Sequence, residues 1–444
     1  MDQKAEFVSK LFECDELDLD DELELELSRL YALQCEATRE MSEIELHNYL
    51  QDQASRSKKG YADNVSALLY GIITEPEKAQ THFQCLSFIN RDNFSVALNR
   101  LHIWVNSIRF PQMKLPARDQ ILWFIGELTN LNVQTIDSIY LCLLRQIRGG
   151  DTSQSNVMLC DQMLRLCDLH KSQLDAYPRV IATAAYTFLR TLTDHRPSQL
   201  VALQQREIRF VVSLLREKWA ACSTIGRDLV RVLHDVANIP AIGLLWDDIL
   251  NNPQKLSPRF KGIESLLMTP TPKEFLRSRL APDMETKLLY ILQNLRLGLH
   301  QRNLNWFLQR YLSTPESEPF YADVIRYIVA GWYPSNQILQ TDIVPRYVII
   351  GSMIRAIKST TVSANVKLAL IYDWLFFKPT DNIMFIEPAV LLMEKSAERY
   401  PYITSIIMEF LKFSVDEYYP PLKEKMAQSV ACSMKTSISK GVIR

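Results

Sequence analysis

From Tyr61 onward the chain repeats one pattern, with apolar residues at three- and four-residue spacing in segments 12 to 22 residues long. Ile121–Leu128, Val133–Ile147, Val180–Leu192, Ile208–Trp219 and Leu229–Val236 are typical. That spacing lays an apolar stripe along an α-helix, so each segment predicts a helix with one buried face. Thr271-Pro272-Lys273-Glu274 predicts a capping box with proline in the first turn: Thr271 accepts from the Glu274 N–H and Glu274 reaches back. Ser257-Pro258 and Thr314-Pro315 repeat the cap-then-proline order, and Gly149-Gly150-Asp151 ends a helix. About twenty helices in succession, joined by connections of a few residues, predict an all-α fold. The expected form is an α-solenoid of antiparallel HEAT or armadillo-like pairs without a strict period, arranged in two lobes.

The first sixty residues read differently. LDLDDELELEL alternates with strand period, yet Leu23, Leu27 and Leu30 continue at helical spacing, so a helix capped by Asp20 or Asp21 is expected to run to about Leu50. The polar stretch Gln51–Gly60 reads as a flexible linker. The expected organisation is an acidic, partly disordered arm over 1–20, N-terminal helices and a linker over 21–60, a first lobe over 61–313 and a second over 314–440. The last boundary falls where Ser, Thr, Pro and Glu cluster at Ser313–Pro319.

Composition sharpens this picture. Glycine is scarce, at 12 residues, and no Asn-Gly or Asp-Gly occurs, which removes the commonest hairpin signal. The net charge of −1 hides an asymmetry: residues 1–52 hold 16 acidic and 4 basic groups, leaving 46 basic and 35 acidic in the body. The acidic arm reads as a solvated first helix with a disordered tip, or as a segment that docks on the body or mimics nucleic acid there. Eight cysteines, none in a Cys-x-x-Cys pair, sit mostly in apolar stretches and read as small buried hydrophobes of a reducing compartment. The longest apolar runs, near Val324 and Leu368, are interrupted by Arg326 and Asp373, so neither predicts a membrane span.

The residues offer little for catalysis. Phosphate-loop, dinucleotide, His-Glu-x-x-His and Gly-x-Ser-x-Gly patterns are absent, so no catalytic, metal or cofactor residues are assigned. Asp194-His195 reads as a helix end capped by histidine, and Asp247-Asp248 as a solvated helix face whose two carboxylates diverge. Arg206, Arg209, Arg216 and Lys218 on one segment, with Arg227, Arg231, Arg277 and Arg279, leave direct contact with a nucleic-acid backbone open. Gly331-Trp332-Tyr333-Pro334 and Tyr418-Tyr419-Pro420-Pro421 read as partner anchors or as proline-stopped helix ends packed on the core.

The block TIGRDLVRVLHDVANIP followed by LLWDDILNNPQKLSPRFKGI, within Ser223–Ile263, resembles the N-terminal half of the Integrator complex subunit 3 family, which is also named for the SOSS (sensor of single-stranded DNA) complex. Arg279–Ile291, Tyr311–Gly351, Asn365–Met393 and Tyr418–Leu422 are similar to it as well, so the resemblance spans roughly Tyr61 to Leu422. It implies a nuclear, non-enzymatic scaffold without a cofactor. The implied partners are other Integrator subunits, an OB-fold single-stranded-DNA-binding protein and a small SOSS subunit. Single-stranded DNA would be reached mainly through the OB-fold partner, with no membrane involved. The implied settings are DNA repair and small nuclear RNA processing. Family members are about twice this length, so the chain reads as a truncated piece or a short form. As partner-binding candidates the specific motifs nominate Arg227, Asp228, Arg231, Asp283, Glu285, Lys287, Trp332, Tyr333 and Asn336.

Overall fold

The computed structural model describes residues 8–13 and 19–443. They form 25 α-helices joined by short turns; among the described residues the only β pairings are isolated bridges, Phe12 with Met113 and Arg296 with Ile343. The fold is all-α, and within each of two compact units most helices pack on near neighbours in sequence, as in an α-solenoid. One unit is Met1–Gln146 with Met158–Val180; the other is Ile147–Val157 with Ile181–Arg444. The chain therefore does not divide at Ser313–Pro319. That stretch folds into a turn in which Thr314 N–H donates to Ser317 Oγ at 3.0 Å and Ser317 N–H returns to Thr314 Oγ1 at 3.2 Å. Ser317 is buried, so the Ser/Thr/Pro composition marks a packed turn.

The first unit is organised by the helix Lys58–Thr74. Every residue from Val65 to Ile73 is buried, because the helices Leu19–Ala37, Glu43–Arg56, Ala79–Ile89 and Leu115–Asn130 pack around it. Its beginning corrects the expected linker. Glu43–Arg56 and Lys58–Thr74 are separated by Ser57 alone, whose Oγ accepts from the Gly60 N–H at 2.9 Å. Gln51–Gly60 is polar because most of it is a solvated helix face. The expected helix to Leu50 is likewise broken: Leu19–Ala37 stops, and Ser42 starts the next helix through a capping box with Glu45.

The described part of the acidic arm docks on its own unit. Leu11 and Phe12 are buried at 0% and 1% exposure, the Lys114 N–H donates to the Leu11 carbonyl at 2.8 Å, and the Arg109 guanidinium lies 4.5 Å over the Phe12 ring. Glu24, fully buried, is satisfied by the Ser9 hydroxyl and the Lys10 N–H, both at 2.6 Å, and by the Leu11 N–H at 3.1 Å. Intramolecular docking is thus the outcome for residues 8–13. Residues 1–7 and 14–18 of the arm lie outside the described residues.

In the second unit the predicted capping box at Thr271 is replaced by a cap of longer reach. Lys273–Ser278 begins without a side-chain cap, and Thr271 Oγ1 instead accepts from the Asp228 N–H at 3.0 Å, at the start of Arg227–Asp235. The Thr269 carbonyl accepts from the Arg227 N–H at 3.0 Å, beside Gly226 with φ of 75°. A Cβ at Gly226 would meet that carbonyl oxygen at 2.6 Å, so glycine is required twice over. Ser257-Pro258 forms a turn rather than a helix start.

Phe12→Ala is expected to lower unfolding free energy by about 3 kcal/mol through the cavity it leaves, and Thr271→Ala by about 1 kcal/mol through the lost cap. Urea denaturation measures both. An unchanged midpoint for Phe12→Ala would show that the arm does not hold its place in solution.

Candidate partner-binding surface

The nominated residues Arg227, Asp228 and Arg231 stand on one short helix, Arg227–Asp235, whose first seven residues are all buried. Asp228 has no solvent exposure and Arg227 1%. Water being excluded, each charge is answered by another. Arg326 places Nη2 2.7 Å from Asp228 Oδ2 and Nη1 2.5 Å from Asp373 Oδ2. Arg231 donates from Nε to Asp228 Oδ1 at 2.8 Å and from Nη2 to Asp323 Oδ1 at 2.6 Å. Arg227 holds the other Asp373 oxygen at 2.9 Å, and Arg279 holds Asp323 Oδ2 at 3.1 Å. Arg190 extends the chain of pairs, 3.4 Å from Asp323 and 2.5 Å from Asp194. Five arginines thus enclose four aspartates.

The electrostatics follow from that arrangement. Burial alone would raise the Asp228 carboxyl, but Arg326 and Arg231 outweigh it and hold the group far below the usual carboxylate range. Burial likewise opposes ionisation of Asp323, while Arg279, Arg231 and Arg190 bring it down to about 2. Arg326 moves the other way: burial would lower it, and Asp228 and Asp373 push it above its ordinary value. Burial, then Tyr418, raises Tyr372, which stays protonated and donates to the Arg227 carbonyl at 2.9 Å.

The remaining nominated residues fall into two other places. Asp283, half-buried, accepts from Arg148 Nη2 at 3.0 Å and from the Tyr311 hydroxyl at 3.1 Å. Glu285, buried, accepts from Arg277 Nε at 2.8 Å and from the Tyr327 hydroxyl at 2.7 Å. Lys287, on the same helix Pro282–Asn294, is exposed. Trp332 is half-buried after the π-turn Tyr327–Gly331, Tyr333 is 39% exposed, and Asn336 is exposed in the first turn of Asn336–Leu339. Lys287, Tyr333 and Asn336 are therefore open to a partner, while Arg227, Asp228, Arg231 and Glu285 are interior.

Two sequence pairs also change meaning. His195 does not cap a helix end: fully buried, its Nδ1 lies 2.9 Å from Glu207 Oε1, while Asp194 turns to Arg190 and the Gly150 N–H. Asp248 is buried and paired with Arg216 at 3.1 Å and Lys255 at 2.9 Å, so only Asp247 belongs to a solvated face. The sequence reading missed Arg190, Arg279, Asp323, Arg326 and Asp373 as one cluster. Its signal was present: the charges that interrupt the apolar runs near Val324 and Leu368 are Arg326 and Asp373, and they interrupt them because they pair with each other.

Above this network lies a cavity of about 410 Å³. Trp246, Leu368, Tyr418 and Tyr419 line it, with Arg231, Ile263 and Leu267 among its buried members and His234, Asp235, Leu250 and Glu417 its exposed ones. The Tyr418 hydroxyl meets that of Tyr372 at 3.0 Å, which ties the cavity wall to the network. Among the described residues, no cluster of His, Cys, Asp and Glu is placed to hold a metal ion, and no helix is long and apolar enough to cross a membrane.

Residues 59–444 match the family model described as Integrator complex subunit 3 N-terminal. The chain is 39% identical to Integrator complex subunit 3 of Pongo abelii over 429 residues, 96% of this chain and 41% of that protein. It is 37% identical to the Danio rerio protein of the same name, covering 99% of this chain and 43% of the relative. A Drosophila virilis Integrator complex subunit 3 homolog is 35% identical over 99% of this chain and 41% of its own length. The chain thus spans about two fifths of these relatives.

Asp323→Asn is expected to cost about 3–5 kcal/mol, because it strands Arg231 and Arg279 in the interior. In the unaltered protein, Asp228 and Asp323 ionise below their unfolded value of about 3.9, so their contribution is full above that pH and is lost as pH falls toward 2. Denaturation midpoints measured between about pH 5 and 2 should fall steeply at the acid end. A midpoint flat across that window would contradict the network.

Proposed function

The chain belongs to the Integrator complex subunit 3 family, and on that premise we propose that it is a non-catalytic scaffold of a nuclear Integrator and SOSS-type assembly. In this reading it holds an OB-fold single-stranded-DNA-binding protein together with a small third subunit, and associates with other Integrator subunits. Single-stranded DNA is then bound mainly by the OB-fold partner, through stacking of bases on aromatic rings. The observation that carries the proposal is the extent of the family match, residues 59–444 of 444. The core supports it: charged groups are spent on linking helices inside one unit, which gives a holder of partners a fixed shape.

Direct nucleic-acid binding by the basic body is the weaker account. Arg227, Arg231 and Arg279 are interior, while Arg216 and Arg277 are engaged by Asp248 and Glu285. Of the nominated cations, Arg209, Arg216 and Arg277 are exposed, the last two within those ion pairs.

Mixing the purified chain with an OB-fold single-stranded-DNA-binding protein at about 10 µM each should give a stable complex on gel filtration. Elution as separate species would overturn the scaffold reading. The isolated chain should retain single-stranded DNA weakly; tight binding with a steep log–log salt slope would favour direct contact instead.

A further inference from the structure

The cavity beside Tyr418 and Tyr419 combines three properties that together select a ligand. Its walls are apolar and aromatic, from Trp246, Leu250, Ile263 and Leu368 with the two tyrosines. Apolar surface of this kind, arranged as a concavity, is suited to receiving an anchoring side chain. Its exposed acidic residues are Asp235 and Glu417; burial raises the Asp235 carboxyl and Arg231 draws it back, so Glu417 is the more open charge. The one arginine in its lining, Arg231, is 5% exposed and already engages Asp228 and Asp323, so it is not offered to an anion.

The third property is a pre-set shape. The Tyr418 ring stands edge-on to Tyr372 at 5.9 Å and tilts against Phe376 at 6.4 Å, and its hydroxyl is held by that of Tyr372. Across the opening, His234 lies edge-on to Trp246 at 6.2 Å. Arg231, in the lining, is fixed from two sides. Walls held in this way need little ordering when a ligand enters.

From this geometry we infer that the cavity is a docking groove for a short amphipathic helix of a partner protein, one with a bulky apolar anchor flanked by lysine or arginine. The anchor fills the space between Trp246, Leu368 and Tyr419, and the flanking cations meet Asp235 and Glu417. A nucleic-acid backbone is disfavoured at the same place, since its phosphates would face those two carboxylates. The inference rests on the scaffold reading above, because it names the kind of partner segment that one site takes.

The test uses the full chain and two labelled synthetic helical peptides. They share leucine and phenylalanine at the anchoring positions and differ only in carrying lysine or glutamate beside them. In fluorescence anisotropy the lysine peptide should bind with Kd of about 10–100 µM at about 50 mM salt, and the glutamate peptide at least tenfold more weakly. Glu417→Lys should weaken the lysine peptide severalfold, and its thermal melt should stay unchanged because Glu417 is exposed. Leu368→Glu should lose binding of both peptides. Equal binding of the two peptides, insensitivity to the charge reversal, or no binding below about 1 mM would each overturn the groove assignment. The OB-fold co-purification run in parallel separates the two claims: peptide failure with that complex intact removes the groove alone. Peptide binding without that complex removes the scaffold reading and leaves the groove standing.

Discussion

Asp228 is a carboxylate with no contact with water, on a helix of nine residues, and the second unit is built around answering it. Its two oxygens are shared between Arg326 and Arg231, and those arginines recruit Asp373 and Asp323 in turn. The helices Arg227–Asp235, Tyr321–Arg326 and Thr360–Leu375, far apart in sequence, must therefore meet in one register. Desolvating so many charges is costly, and apolar residues of the same volume could stabilise such a core equally well. What an ionic network adds is geometry: a guanidinium fork fits its carboxylates at one distance and one angle, whereas leucines tolerate sliding. A surface carried by such a core keeps one shape.

The same network reaches outward at two points. Arg231 is both a member of it and part of the lining of the cavity, and Tyr418, also in that lining, bonds Tyr372, whose hydroxyl donates to the Arg227 backbone. The start of Arg227–Asp235 is fixed independently by Thr271 and by the Thr269 carbonyl against Gly226. Interior electrostatics, helix capping and the shape of the open groove are thus one connected structure.

How much of this the sequence disclosed depends on the range of the interaction. Helices follow from local spacing, so the all-α class and segments such as Val180–Leu192 were legible, though about twenty helices were expected and 25 form among the described residues. Even a local cap was missed: Ser42 and Glu45, three residues apart, start a new helix where one continuous helix to Leu50 was expected. Cap letters misled where the partner is distant: Thr271-Pro272-Lys273-Glu274 has the letters of a capping box, but its hydroxyl serves Asp228, 43 positions earlier. Buried charges were the least legible. Arg227-Asp228 looks like a surface motif because nothing local reveals that Arg326 and Asp373 converge on it. The usable clue was negative, a charge placed where an apolar run should continue.

That distinction between interior and exterior charge also bears on function. The body carries a net positive charge, and on composition alone a basic helical array invites nucleic acid. Pairing inside the unit leaves the net charge nearly unchanged, since arginines and aspartates cancel almost one for one. It removes the cluster. Arg227, Arg231 and Arg279 no longer stand beside Arg216 and Arg277 as a patch that could follow a phosphate backbone, and the surviving excess is spread over the surface. A diffuse field speeds the encounter with charged partners but supplies no aligned row of contacts. Apolar and aromatic side chains are what the second unit does gather at an opening, and these are the groups that hold proteins.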